Sequence, residues 1–176
     1  DVMRAIRNGL HGAGIPVEAT VPAIAQGHLS MTVASYGERV ALDEALNVGD
    51  RLRMAGALPQ LTVTDSRSEQ QAGASGWAVA GQSSDLIGRS GEILAGHLGW
   101  TPQVLTAREG VSAAAPAATV LSGGTGLAAP KRLAQAAGEG RSGSTALGAD
   151  LLLEVPVDTV QGTYRGTVTV SLFPTD

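Results

Sequence analysis

The chain has 176 residues, no cysteine and a net charge of −4, with 43% apolar but only 3% aromatic residues. That length suits one domain whose core is built from Val, Leu, Ile and Ala, and the missing cysteines exclude disulfides, thiolate metal sites and cysteine nucleophiles without excluding export. One Lys against eleven Arg, with Lys131-Arg132 the nearest thing to a basic run, gives no nucleic-acid footprint, and no apolar run approaches the roughly 18 residues that span a bilayer.

Residues 1–14 read as a short amphipathic helix or an adaptable arm. Val2, Ile6 and Leu10 recur at helical spacing, Asp1 favours a helix N-terminus, and Gly9, Gly12 and Gly14 end the pattern. With no signal peptide and no initiator Met, Asp1 reads as a processed end or a fragment boundary.

From Ile15 to Asp176 the pattern is that of one β domain. Val17, Ala19 and Val21 alternate, then Leu29, Met31 and Val33, with Pro22 and Gly27 between. Short strands are expected at Arg39–Leu42 and Asp50–Met54, and a stronger one from Leu61 into Asp65-Ser66-Arg67. A polar loop over Ser68–Gly76 leads to Trp77-Ala78-Val79, read as the return strand; Leu94–Trp100 and Gln103–Leu105 are weaker candidates. Residues 107–145, rich in Ala, Gly and Ser, read as a long excursion over one end, with a helix-like stretch at Pro130–Ala137.

The last thirty residues carry the clearest signal. Leu147, Ala149, Leu151, Leu153 and Val155 alternate with Gly148, Asp150, Leu152 and Glu154, and after Pro156–Gly162 a second run sets Tyr164, Val168, Val170 and Leu172 against Arg165, Thr167, Thr169 and Ser171. Period two puts each apolar set on one face of a strand, and two such runs joined by a turn predict an antiparallel hairpin. The expected fold is an all-β antiparallel sandwich, Ig-like or jelly-roll-like.

No reaction is announced. Gly124-Thr125-Gly126-Leu127-Ala128-Ala129 imitates a dinucleotide fingerprint, but a doubly wound sheet needs repeated strand–helix–strand units that the flanking β pattern does not supply. There is no Gly-x-Ser-x-Gly elbow, and Asp43-Glu44, Asp65, Asp85 and Asp158 have no metal-ligand spacing. No cofactor is expected. Asp65 and Arg67, two apart on one strand face, predict an Arg–carboxylate pair that pins the loop, with Asp85 after the partner strand.

Three segments resemble the WxL-type surface domain of Gram-positive bacteria: Leu61–Arg67, then Gly76-Trp77-Ala78-Val79, then Gly162–Leu172 with Gly162-Thr163-Tyr164. Val79 stands where that family has Leu, and Val170-Ser171-Leu172 lacks its second Trp. Leu98-Gly99-Trp100-Thr101-Pro102 is similar to a segment of related secreted proteins of actinobacterial type. The resemblance implies a secreted, cell-surface β-sandwich associating non-covalently with cell-wall polymer or other surface proteins.

Within that expectation Trp77 and Tyr164 are assigned to structure, and Trp100, beside Gly99 and Pro102, to an exposed partner contact. Val17, Ala19 and Val21 would serve an alternative: self-association into a fibre by adding a strand to a neighbour's sheet edge. A third reading is an extracellular hydrolase working through His97, Glu92 or Asp85, which requires a cleft where they converge.

Overall fold

The computed structural model describes residues 13–14, 27–35, 37–73, 75–106 and 108–175. The helical spacing at Val2–Leu10 and the alternation of Val17, Ala19 and Val21 lie outside the described residues. Within them the strands in chain order are β1 (Ala13–Gly14), β2 (Leu29–Val33), β3 (Leu46–Asn47), β4 (Arg51–Ala57), β5 (Leu61–Asp65), β6 (Gly76–Ser83), β7 (Leu86–Ile87), β8 (Glu92–Ile93), β9 (Leu98–Val104), β10 (Val111–Ala113), β11 (Lys131–Ala136), β12 (Gly143–Pro156) and β13 (Val168–Thr175). A one-turn helix, α1, spans Glu69–Ala72. No helix among the described residues is long and apolar enough to cross a membrane.

Two antiparallel sheets pack face to face. One has the order β1-β13-β6-β11-β10. The other is organised by β12, which pairs with β5 over Gly143–Leu147, with β4 over Asp150–Pro156 and with β9 over Leu147–Leu153. Strands β4 and β5 follow one another along the same edge of β12, interrupted by residues 58–60; Leu58 N–H bonds to the Ala149 carbonyl at 2.9 Å and keeps the ladder together. Beyond them β2 pairs with β5, and β3 with β4. A small ribbon, β7–β8, lies apart from both sheets.

The sandwich follows from strand parity. Leu147, Ala149, Leu151, Leu153 and Val155 are all buried, as are Leu29, Met31 and Val33 of β2 and Leu61 and Val63 of β5. Trp77, Val79, Leu133, Val170 and Leu172 face them from the other sheet. Each fully buried Leu or Val side chain contributes roughly 1.5–3 kcal/mol, so a slip of one residue in β12 would forfeit four such contributions at once, besides that of Ala149.

Several local expectations are corrected. The last two apolar runs do not form a hairpin: β12 and β13 belong to different sheets, because both edges of β12 are already occupied and residues 157–167 cross to the facing layer. Strand β6 likewise pairs with β13 and β11 rather than returning beside β5. Arg39–Leu42 is irregular backbone, held against β4 by Asp43 N–H bonding to the Ala55 carbonyl at 2.7 Å.

The Ser68–Gly76 loop contains α1, started by a capping box. Gln71 N–H bonds to Ser68 Oγ at 3.2 Å, and Ser68 N–H bonds to Gln71 Oε1 at 2.8 Å. Pro130–Ala137 is not helical but holds β11. Strands β6 and β10 flank it and its Leu133, Ala134 and Ala136 are buried, a tertiary gain that overrides the modest helix preference of Ala. Residues 107–145 are therefore not one excursion; they contribute β10, β11 and the start of β12 to the sheets, and the stretch between β10 and β11 covers the outer face of β12 while sending Leu127 into the core.

Candidate functional site

Two polar clusters and one apolar cleft stand out. The first cluster closes one end of the sandwich. Arg67 grips Asp65 with Nε to Oδ1 at 2.9 Å and Nη2 to Oδ2 at 2.8 Å, and Arg67 N–H adds a bond to Oδ1 at 3.1 Å. Such a two-pronged pair fixes geometry as well as charge. Arg67 Nη2 also donates to the Gly76 carbonyl, and Arg141 Nη1 donates to Asp65 Oδ2 at 3.4 Å and to the Arg67 carbonyl. Trp77 Nε1 donates to the Arg141 carbonyl at 3.0 Å. The end of β5 in one sheet is thus tied to the start of β6 in the other.

The second cluster lies on the outer face of β12. Glu154 alternates outward, yet it is 2% exposed. Thr119 Oγ1 donates to its Oε1 at 2.5 Å and Ser122 Oγ at 2.6 Å, while Arg51 Nη1 and Arg53 Nε approach Oε2 at 3.2 and 3.3 Å. Burial pushes the carboxyl's pKa up; the Ser122 and Thr119 hydroxyls and the Arg51 guanidinium outweigh it and hold the group below its ordinary value. The covering segment is fastened by an Ala117–Trp100 bridge to β9. Arg141, Thr119 and Ser122 were not singled out from the sequence, since nothing local marks residues that meet over such separations, and Glu154 was read there only as an outward residue of its strand. The Ser68-x-x-Gln71 pattern, by contrast, was a legible capping signal.

Trp77 is fully buried. Trp100, expected in an exposed loop contact, is instead in β9 and 2% exposed, its ring tip against Gly81, because its parity on β9 turns it between the sheets. Its Nε1 is buried without a partner. Tyr164 is half-buried against the core and its hydroxyl donates to the Val160 carbonyl. Asp85 is separate from the Asp65–Arg67 pair and accepts from Ala95 N–H at 2.8 Å.

His97 Nδ1 donates to the Glu154 carbonyl at 2.8 Å, and Glu92 is exposed on β8. No hydrogen bond joins Asp85, Glu92 and His97 to one another. Among the described residues, no three His, Cys, Asp or Glu side chains group to hold a metal ion.

The apolar cleft has a volume of about 810 Å³. At the β4 end of the sandwich, segments 37–43 and 159–168 border the inner face of β4 and β12, and the space between them is the cleft. Leu52 and Met54 of β4 and Leu151, Leu153 and Val155 of β12 form one wall; Val168 and Tyr164 come from the opposite side. Leu42 seats over Gly56, where any Cβ would lie 2.5 Å from its Cδ2, so this glycine lets segment 37–43 close down on β4. Exposed Val160 lies in the lining at the opening.

One sheet edge is also notable. Ala13 and Gly14 pair antiparallel with Val170 and Thr169, so among the described residues β1 covers two positions of the eight-residue β13.

No protein-family model matches the chain, and neither the curated proteins nor the solved structures include one significantly similar to it.

Proposed function

We propose that the chain is a non-catalytic, secreted cell-surface module that associates non-covalently with cell-wall polymer or other surface proteins. One observation carries this reading: of the three segments that resemble the WxL-type domain, the last, more than eighty residues beyond the other two, pairs directly with the second. The end of β5 reaches Gly76 through Arg67, and β6 lies beside β13 with Trp77 opposite Pro174. Trp77 serves the core there, so binding falls to the sandwich's edges and loops. The test is retention of the purified chain on isolated Gram-positive cell walls, with sedimentation velocity run in parallel. Retention or self-association is expected; a chain that does neither refutes the proposal.

A second reading, a fibre subunit assembled by strand addition, is favoured by β1. A two-residue strand from the N-terminal segment occupies the outer edge of β13, and an edge strand's remaining N–H and C=O groups can accept an extended segment from a neighbour. Deletion of residues 1–21 is expected to abolish polymers seen by electron microscopy; polymers that persist unchanged remove this reading.

A further inference from the structure

We propose that the cleft between the sheets is a binding site for a single fatty acyl chain, the head group staying outside. This is independent of wall or fibre association. Protein interiors pack to the density of organic crystals and tolerate few voids larger than a water, whereas this space of about 810 Å³ falls within the roughly 300–1,000 Å³ of small-molecule sites.

The lining selects the ligand class. Leu52, Met54, Leu151, Leu153 and Val155 present only hydrocarbon and a thioether, and Met adapts its shape to irregular apolar partners. Of the polar side chains in the lining, Ser83 Oγ donates to the Ser84 carbonyl at 2.8 Å, Thr159 Oγ1 to the Pro156 carbonyl at 2.7 Å and the Tyr164 hydroxyl to the Val160 carbonyl, while Gln161, Thr163 and Thr167 stand at its exposed margin. A sugar or nucleotide would therefore bury its own polar atoms unpaired, which is costly.

A peptide fits no better. Over Asp150–Leu153 the floor strand β12 has β4 on one edge and β9 on the other, and the Ala55 carbonyl of β4 takes the Asp43 N–H. An inserted peptide would find no backbone partners on the β12 floor. An aliphatic chain has no polar groups to satisfy. At the lining's exposed margin, Arg39 and Arg165 have no ion-pair partner among the described residues, and Glu38 and Asp43 stand there too, leaving the head group in a charged, wet setting.

The experiment titrates the whole chain with palmitate and, separately, with palmitoyl lysophosphatidylcholine, by isothermal calorimetry and native mass spectrometry. Met54→Trp fills the cleft, whereas Ala55→Trp places the same ring on the exposed face of the same strand; circular dichroism checks that both variants fold. One palmitoyl chain per molecule is expected, weakened roughly tenfold or more in M54W and unchanged in A55W. Binding of both amphiphiles identifies the acyl chain as the shared determinant; binding of palmitate alone supports the same site with a free fatty acid as its source.

The proposal is overturned if neither amphiphile binds, or if the two variants bind equally well. It is also overturned if M54W, but not A55W, dissociates a ligand-free oligomer, because a second copy of the chain would then be the occupant.

Discussion

Asp65 and Arg141, separated by 76 positions, meet at 3.4 Å where the two sheets are tied together. The Asp65 side chain is fully buried, and the Arg67 and Arg141 side chains are only 13% and 10% exposed. One carboxylate therefore answers two guanidiniums in a place that water barely reaches. Removing one partner of such a buried network leaves charge uncompensated, which costs more than the intact pair contributes.

Asp65→Asn is accordingly expected to destabilise the fold by about 3–5 kcal/mol, measured from urea midpoints at neutral pH. Arg67→Lys keeps the charge but gives up the two-pronged grip and the bond to Gly76, and should fall between wild type and D65N. A D65N variant as stable as wild type would show that the cluster does not hold the sheets together.

Glu154 predicts a pH dependence. Its pKa in the folded chain lies below the ordinary value of 4.5, so between the two values the unfolded chain binds more protons than the folded one. The stabilisation is fully present above about pH 4.5 and is lost as the pH falls through the lower, folded value. Glu154→Gln should cost roughly 1–3 kcal/mol at neutral pH and flatten the acid limb of the stability profile below the glutamate value. Denaturant midpoints collected across the acid range for both proteins make the comparison.

How much of this was legible can be read from the strands themselves. The alternation Leu147–Val155 identified the buried face of β12 correctly, and Leu61 and Val63 that of β5, because parity is a local property; β5 ends at Asp65, so Arg67, expected on the same strand, grips Asp65 from the loop that follows. Partnership is not local. Nothing in Pro156–Gly162 says that the chain leaves one sheet for the other; that depends on β9, β4 and β5 having claimed both edges of β12. Pro130–Ala137 looked helical by composition, and Lys131–Ala136 within it became a strand because β6 and β10 stand on either side. Glu154 was assigned to the wet face, and is buried only because Thr119 and Ser122 arrive from a distant segment. The cleft was invisible for the same reason, being formed by segments 37–43 and 159–168 with β4 and β12.

The two tryptophans differ in a way that mutation can read. Trp77 has a hydrogen bond to lose, to the Arg141 carbonyl, whereas the Trp100 N–H is buried without a partner. Both Trp→Phe changes reduce volume, but W77F alone also strands a buried carbonyl. W77F is expected to cost roughly 1 kcal/mol more than W100F. Emission of the wild type should be blue-shifted and poorly quenched by iodide, since both rings are at most 2% exposed; strong quenching would return Trp100 to the surface.

Gly81 and Trp100 form the last testable pair. A Cβ built on Gly81 would lie 2.4 Å from Cη2 and 3.0 Å from Cζ3 of Trp100, both on the six-membered ring of the indole. Gly81 sits in β6 opposite Val170 of β13 and Lys131 of β11, paired on both sides, so its backbone has little room to retreat. Gly81→Ala should therefore overpack the space between the sheets, at a cost of about 1–3 kcal/mol. In the W100F background the ring that meets the new methyl is smaller and shorter, and the same substitution should cost markedly less. The coupling from this double-mutant cycle, read from unfolding midpoints, is expected to be favourable and about 1 kcal/mol or more. Strictly additive costs would mean that Gly81 and Trp100 do not touch, and would undo the placement of β9 across the sandwich from β6.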